Sequence, residues 1–281
     1  VSVELMTPIE KAIDMYYLGD SIGAMAEGGA GGSCSLERAM TGLRAFLHGT
    51  DESDTVHLFQ AFSLYYHPGM KSQRDILTWH CYHTERHRLS SYGKTWRDHF
   101  ATVKAMDKKS ELSILGLLAI SADRNSFGNG LLALVFPVMM HNVKRDIYQI
   151  LFSTTHYQAA PTCGLMVEAL RNRDLKMIEE IIEPVAHVWR DSPGMTPHYL
   201  YCIAAAYEVA KQPTIKEAIE FALAFGGDVD SYLSFGLLMW AWLGDLLGDR
   251  NSEKQVDEFI RVCLSSNGNE VYQRLISTCN V

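Results

Sequence analysis

Strand signals are nearly absent from this sequence. No run of alternating β-branched residues occurs, and no Asn-Gly turn joins two such runs, which argues against a sheet-built domain. Cysteine is scattered: the six residues at 34, 81, 163, 202, 263 and 279 contain no C-x-x-C pair. That excludes a disulfide framework and reads as buried or incidental thiols of a reducing compartment. Basic charge is scarce as well, with 25 Lys and Arg against 33 Asp and Glu, a formal net charge of −8 and a pI of about 5.8. No basic stretch stands out except a mixed His/Arg segment near 80 to 97, so nucleic acid is not the expected partner. The opening residues Val1-Ser-Val-Glu-Leu-Met carry no charged-then-apolar signal pattern. The uncharged run from Ser231 to Gly244 is short for a membrane span and is closed by Asp245, Asp249 and Arg250. The expected setting is therefore cytoplasmic, of the producing cell or of a host, for a monomer without a membrane partner.

What the chain does have is helical periodicity from end to end. At 47% hydrophobic residues and a mean hydropathy of −0.05, it can bury a sizeable core. Thr7-Pro8 opens a helix as a capping residue followed by Pro at the first helical position, and Ile9, Ala12, Ile13, Tyr16 and Tyr17 follow at helical spacing. Further helices are expected over Leu36 to Leu47, Val56 to Tyr66, 73 to 90, Leu112 to Ile120, Leu131 to Met140, Ile147 to Phe152 and Pro161 to Leu170. Others follow over 174 to 190, 197 to 211, 214 to 225, 252 to 265 and 268 to 279. The run after Ser231 is apolar all round, so it reads as a helix buried in the middle of a bundle. No long linker or composition shift divides the chain, and the reading is one all-α domain over 1–281.

The chemistry sits at breaks between these helices. Gly226-Gly227-Asp228-Val229-Asp230-Ser231 places two carboxylates and a hydroxyl at the entrance of the buried helix, an oxygen set that suits Mg²⁺ or a similar hard cation. The plainer alternative is an Asp N-cap after a Gly-Gly turn. Thr50-Asp-Glu-Ser-Asp54-Thr55 again gathers acids and hydroxyls before a helix, where the dipole favours anions and capping alone would explain them. Ser126-Phe127-Gly128-Asn129-Gly130 opens an apolar helix with a glycine-rich turn whose backbone N–H groups could cradle phosphate, although similar turns are common. Glu27-Gly-Gly-Ala-Gly-Gly-Ser33 is either a linker or a moving lid. His156 stands at another helix entrance, where a histidine is more often a structural hydrogen-bonder than a catalyst. His83 and His87 are spaced as in some zinc sites, but Glu85, Arg86 and Arg88 surround them and no further Cys or His ligand has fitting spacing, so a solvated polar face is the better reading.

Four breaks in this order resemble the ADP-ribosylglycohydrolase family, the DraG-like hydrolases, over nearly the whole chain. Gly19-Asp20-x-x-Gly23 followed by Glu27 is similar to the family's opening G-D-x-x-G segment. Ser126-Phe127-Gly128-Asn129-Gly130 resembles its S-F/Y-G-N-G loop, Thr155-His156 with Ala159 its T-H-x-x-A segment, and Gly226 to Ser231 its closing G-G-D-T-D-T. The resemblance implies an orthogonal α-helical bundle with a binuclear Mg²⁺ or Mn²⁺ centre that removes ADP-ribose from a modified side chain, arginine being the most typical acceptor. It implies that Ser126, Phe127, Gly128, Asn129, Gly130 and His156 hold ADP-ribose. Asp54, Thr55, Asp228, Asp230 and Ser231 would serve the metal, and Glu27, at the position of the flap glutamate, would share catalysis with Asp228.

The departures qualify that picture. The family's first metal motif is T-D-D-T, and the best match here is Glu52-Ser53-Asp54-Thr55, with Ser53 where a carboxylate is expected. One firm metal site and one weak or empty site follow, since ligand charge sets affinity. Leu131 and Leu132 stand where the family tends to have small residues, which narrows the expected pocket. Two functions are therefore carried forward. The first is a metal-assisted hydrolase acting on an ADP-ribosylated protein. The second is a weak or inactive member that binds ADP-ribose or ADP-ribosylated partners, or blocks a transferase.

Overall fold

The structure, a computed structural model, describes residues 6–27, 93–105 and 126–264. Every regular element among them is an α-helix or a short 3₁₀ segment. The α-helices are labelled here α1 (Pro8–Glu27), α2 (Lys94–Ala105), α3 (Val135–Met140), α4 (Arg145–Thr155), α5 (Ala160–Asn172), α6 (Leu175–Ile182), α7 (Tyr199–Lys211), α8 (Ile215–Phe225), α9 (Val229–Leu243) and α10 (Ser252–Leu264). The all-α expectation holds. None of the described helices is long and apolar enough to cross a membrane. The described residues fall into two compact units, one made of 6–27 with 182–264 and the other of 93–105 with 126–181.

In the first unit, α9 is the core. Val229, Leu243 and every residue from Tyr232 to Trp240 are buried, as its uncharged sequence requires. It packs along α1 on one side and α7 on another, with α8 and α10 completing its surroundings. Tyr232, itself fully buried, donates its phenol hydrogen to the Ala222 carbonyl (2.7 Å) and sits 3.1 Å from the Gly226 carbonyl, tying α9 to the end of α8. At the other end the Trp240 indole N–H donates to the Gln212 carbonyl (2.9 Å). The Arg250 guanidinium stacks on that indole at 4.4 Å and donates to the carbonyls of Ala210, Gln212 and Gly244.

The helix starts obey local rules. Thr7 caps α1 through a reciprocal pair: its hydroxyl accepts from the Glu10 N–H (3.3 Å), and the Glu10 carboxylate accepts from the Thr7 N–H (2.5 Å). Thr214 does the same service for α8 by accepting from the Glu217 N–H (3.1 Å). At α7 the cap is His198, whose Nδ1 accepts from the Leu200 N–H at 3.2 Å. The α5 helix ends on a left-handed residue, Arg173 (φ 53°), and Asp174 then accepts from the Met177 N–H to start α6.

Three helix readings need correction. The segment 19–27 is no break: α1 continues through it to Glu27. Gly19 and Gly23 are one helical turn apart and both lie against α9. A Cβ on Gly19 would come within 2.7 Å of the Ser234 Cα, and one on Gly23 within 2.2 Å of the Asp230 Cα. Close backbone approach, not flexibility, is what these glycines supply, and packing outweighs their helix cost of about 1 kcal/mol each. The expected helix over 174 to 190 stops at Ile182, where Glu183–Val185 tightens into a 3₁₀ turn around Pro184, because Pro removes a helical N–H. Leu131 to Met140 begins as a 3₁₀ segment, Asn129–Leu134, before becoming α3. The helices expected over Leu36 to Leu47, Val56 to Tyr66, 73 to 90, Leu112 to Ile120 and 268 to 279 lie outside the described residues.

In the second unit, α5 is the centre, with α3, α4 and the 3₁₀ turn Asn129–Leu134 against it and α2 on α4. Tyr148, fully buried, hydrogen-bonds the Glu168 carboxylate; burial, and then that carboxylate, push its phenol up to about 12. Cys163, Cys202 and Cys263 are buried and in no disulfide, as their spacing suggests.

Candidate functional site

The Gly226–Ser231 turn is built backwards from the buried helix it opens. Gly226 and Gly227 both have positive φ, 76° and 88°, a conformation that side chains resist. At Gly227 space is also closed, because a Cβ would lie 2.2 Å from the Pro193 carbonyl oxygen and 2.4 Å from the Thr196 hydroxyl. Asp228 takes the N-cap position of α9, yet its side chain makes no capping hydrogen bond. Ordinary capping therefore does not account for this carboxylate. Its backbone N–H donates instead to the Thr196 Oγ1 at 2.7 Å. Asp230, in the first turn, accepts from the Ser231 N–H through Oδ1 at 2.6 Å. Asp228, Asp230 and Ser231 are all half-buried at one helix entrance.

Hard divalent cations take oxygen ligands, and this turn offers two carboxylates and a hydroxyl, which fits that chemistry. Among the described residues no group of three or more His, Cys, Asp or Glu side chains forms a metal-binding cluster. The remaining expected ligands, Asp54 and Thr55, lie outside the described residues, as does Ser53. Glu27 is the last residue of α1, and the glycine-rich stretch after it is likewise outside them. Asp20, from the opening motif, is buried within α1 at 1% exposure.

The second unit brings together the other set. Gly128 precedes the 3₁₀ turn in ordinary extended backbone, φ −63° and ψ 147°. A Cβ there would meet the Ser126 Oγ at 3.6 Å and the His156 ring at 3.9 Å, and one on Gly130 would meet His156 Nε2 at 3.8 Å. Ser126, Gly128, Gly130 and His156 thus share one patch. Phe127 stands out of it, 46% exposed, and Asn129 is half-buried. His156 closes α4, which its preceding threonines help end: Thr154 and Thr155 turn their hydroxyls back onto the carbonyls of Leu151 and Phe152.

Two residues of α2 complete this patch, and sequence reasoning missed both. Trp96 lies 5.4 Å from the His156 ring, and its indole nitrogen is 2.9 Å from where a Gly130 Cβ would be. Gly130 is therefore required by the tryptophan. His99, 5% exposed, packs edge-on to Trp96 at 6.0 Å. Burial, and then repulsion from His156, lower its pKa to about 3, so His99 is neutral at physiological pH. Thr95, next to Trp96, donates to the Ser126 hydroxyl at 3.1 Å. The signal for α2 was the Trp96, His99, Phe100 spacing, one buried stripe on an otherwise polar helix. Thr196 was the other omission, and nothing in the sequence links it to Asp228, 32 residues away.

No protein-family model matches the sequence. No curated protein matches it either. A solved structure described as an ADP-ribosylglycohydrolase-related protein complex is similar to it, with a TM-score of 0.52 over 97% of this chain and 98% of that one, at 14% identity. At that identity the likeness is one of fold, and the chain has the all-helical fold of ADP-ribosylglycohydrolase-related proteins.

Proposed function

We propose that the protein is a hydrolase that removes ADP-ribose from a modified protein side chain, arginine first among the acceptors. The reading is carried by one conjunction: a fold likeness over 97% of the chain, with the sequence G-G-D-V-D-S on a half-buried turn at the entrance of the central helix. Asp228, Asp230 and Ser231 would hold Mg²⁺ or Mn²⁺, together with Asp54 and Thr55. Such a cation supplies a Lewis acid that fixes ribose hydroxyls and lowers the pKa of a bound water. The chain's own part is then to orient and to move protons. Asp228, held at the helix entrance by its backbone, sets the direction of the ligand oxygens. Glu27, at the end of the same helix whose Gly23 touches Asp230, is the carboxylate that takes the proton of the attacking water. Ser126, Phe127, Gly128, Asn129, Gly130 and His156 serve as the ADP-ribose contacts, with neutral His99 and Trp96 beneath them.

The test is release of ADP-ribose from arginine-, serine- and O-acetyl-linked substrates, with Mg²⁺ and with EDTA. Magnesium-dependent release from the arginine linkage, abolished by Asp228→Ala, is the expected result. Robust hydrolysis in EDTA that ignores Asp228→Ala would refute the metal mechanism. Gly128→Ala adds a methyl at ordinary contact distance on unstrained backbone, so the variant should fold, and calorimetry should show weaker ADP-ribose binding. A second reading is favoured by Ser53, which stands where a ligand carboxylate is expected. On that reading the protein binds ADP-ribosylated partners without cleaving them, and it prevails if saturating Mg²⁺ gives binding but no release from any linkage.

A further inference from the structure

We propose that Thr196 is the positioning residue for Asp228, and through it for divalent-cation binding at the Gly226–Ser231 turn. The inference rests on the reading of Asp228 as a metal ligand.

Thr196 is 1% exposed, and its hydroxyl is committed in both directions. The hydrogen goes to the Pro193 carbonyl at 2.9 Å, which leaves the oxygen lone pairs to accept from the Asp228 N–H at 2.7 Å. The polarity of the contact is therefore fixed: the threonine can act only as acceptor toward Asp228. The Gly226 end of the turn is held by the Ala222 carbonyl and the Tyr232 hydroxyl, and Thr196 holds the Asp228 end. Gly226 and Gly227 have no side chains, sit at positive φ, and are followed by a residue whose own side chain makes no cap. The Thr196 hydroxyl is a buried side-chain contact to the Asp228 peptide N–H, and it helps fix where the Cα–Cβ bond of Asp228 starts.

The threonine is itself held. Its N–H donates to the Pro193 carbonyl (3.2 Å), and the His198 N–H donates to the Met195 carbonyl (2.9 Å), so 193–198 is a tight turn running into the His198 cap of α7. The Gly227 backbone lies against this turn, as the 2.2 Å approach of a Cβ to the Pro193 oxygen requires. Helix α7 is packed on α9, and the two ends of the Thr196–Asp228 bond lie just ahead of these helices. Partners of this kind behind a ligand are worth roughly 10–100-fold in metal affinity.

The experiment uses the full chain, with Mn²⁺ alone as the probe. Mn²⁺ binding is read by electron paramagnetic resonance, and the Asp228 amide by its NMR shift and hydrogen-exchange rate. Thr196→Val keeps the shape and removes the acceptor. It should weaken Mn²⁺ binding by roughly 10-fold or more, shift the Asp228 amide and speed its exchange. Thr196→Ser should restore both readouts, which a purely volumetric role would not do. Should the valine not fold, Thr196→Ala removes the same acceptor without burying an extra methyl and decides the same question. Asp228→Ala separates the two layers. If wild type binds Mn²⁺, Asp228→Ala does not, and Thr196→Val binds like wild type, the positioning role is overturned while the metal site stands. If wild type fails to bind Mn²⁺, or Asp228→Ala binds it unchanged, the metal reading falls and the proposal with it.

Discussion

Gly23→Ala should destabilise the protein, although the residue lies inside a helix. The Cβ of the alanine would sit 2.2 Å from the Asp230 Cα, 2.4 Å from its nitrogen and 2.7 Å from the Val229 carbonyl carbon. Carbon atoms prefer about 3.5–4.0 Å, so α1 and α9 would have to part by roughly 1 Å or more at that point. All three neighbours are backbone of α9, which cannot yield by a rotamer change. Overpacking of this kind costs about 1–3 kcal/mol. Against it stands the helix preference of alanine over glycine, about 1 kcal/mol. The difference is a net loss of up to about 2 kcal/mol, and the upper end is expected because the atoms struck are backbone. Gly164→Ala is the matched control: it is inside α5, and the nearest atom to its Cβ is the Tyr148 Cε2 at an ordinary 3.7 Å. There propensity acts unopposed, and stability should rise by about 1 kcal/mol. Urea unfolding followed by circular dichroism measures both. If Gly23→Ala stabilises as Gly164→Ala does, α1 does not approach α9 through this glycine, and the account of the G-D-x-x-G segment as a packing face is wrong. Because the atom struck is Asp230 Cα, Mn²⁺ binding by Gly23→Ala should also fall, even where the fold survives.

His99 is held neutral, with its folded pKa near 3 against an unfolded value of about 6.5. Between those values the unfolded state binds more protons, so this contribution is fully present above about pH 6.5 and is lost as the pH falls toward about 3. The slope should reach about 1.4 kcal/mol per pH unit for one such proton. His99→Phe should flatten it in urea melts run from pH 7 downward, and an unchanged slope would assign the effect elsewhere. Arg250→Ala removes three carbonyl contacts and the stacking on Trp240. Its expected cost is about 2–3 kcal/mol, since hydrogen bonds from a charged group count more than neutral ones. Arg250→Lys should recover only part of it, because an ammonium lacks the planar fork, and thermal melts of the two variants compare them directly.

The sequence by itself determined the helical class and the central helix. Both follow from local rules: an uncharged run such as Tyr232 to Trp240 has no face that water would accept, and Thr7-Pro8 and Thr214 announce helix starts through bonds three residues long. It also marked Asp228, Asp230, Ser126, Gly128 and His156 as chemistry-bearing, since unusual residue types cluster at helix entrances. What it could not determine is what a glycine is for. Gly19 and Gly23 look like a loop in one dimension and prove to be the groove through which α1 meets α9, whereas Gly226 and Gly227 make a true turn. Tertiary structure alone decided that, because the reason lies in atoms 200 residues away along the chain. It also decided that Gly130 makes room for Trp96, that His99 is buried beside His156, and that Thr196 accepts the Asp228 N–H. Each of these is a contact between residues with no periodic relation to one another, and only packing, which depends on distance in space, brings them together.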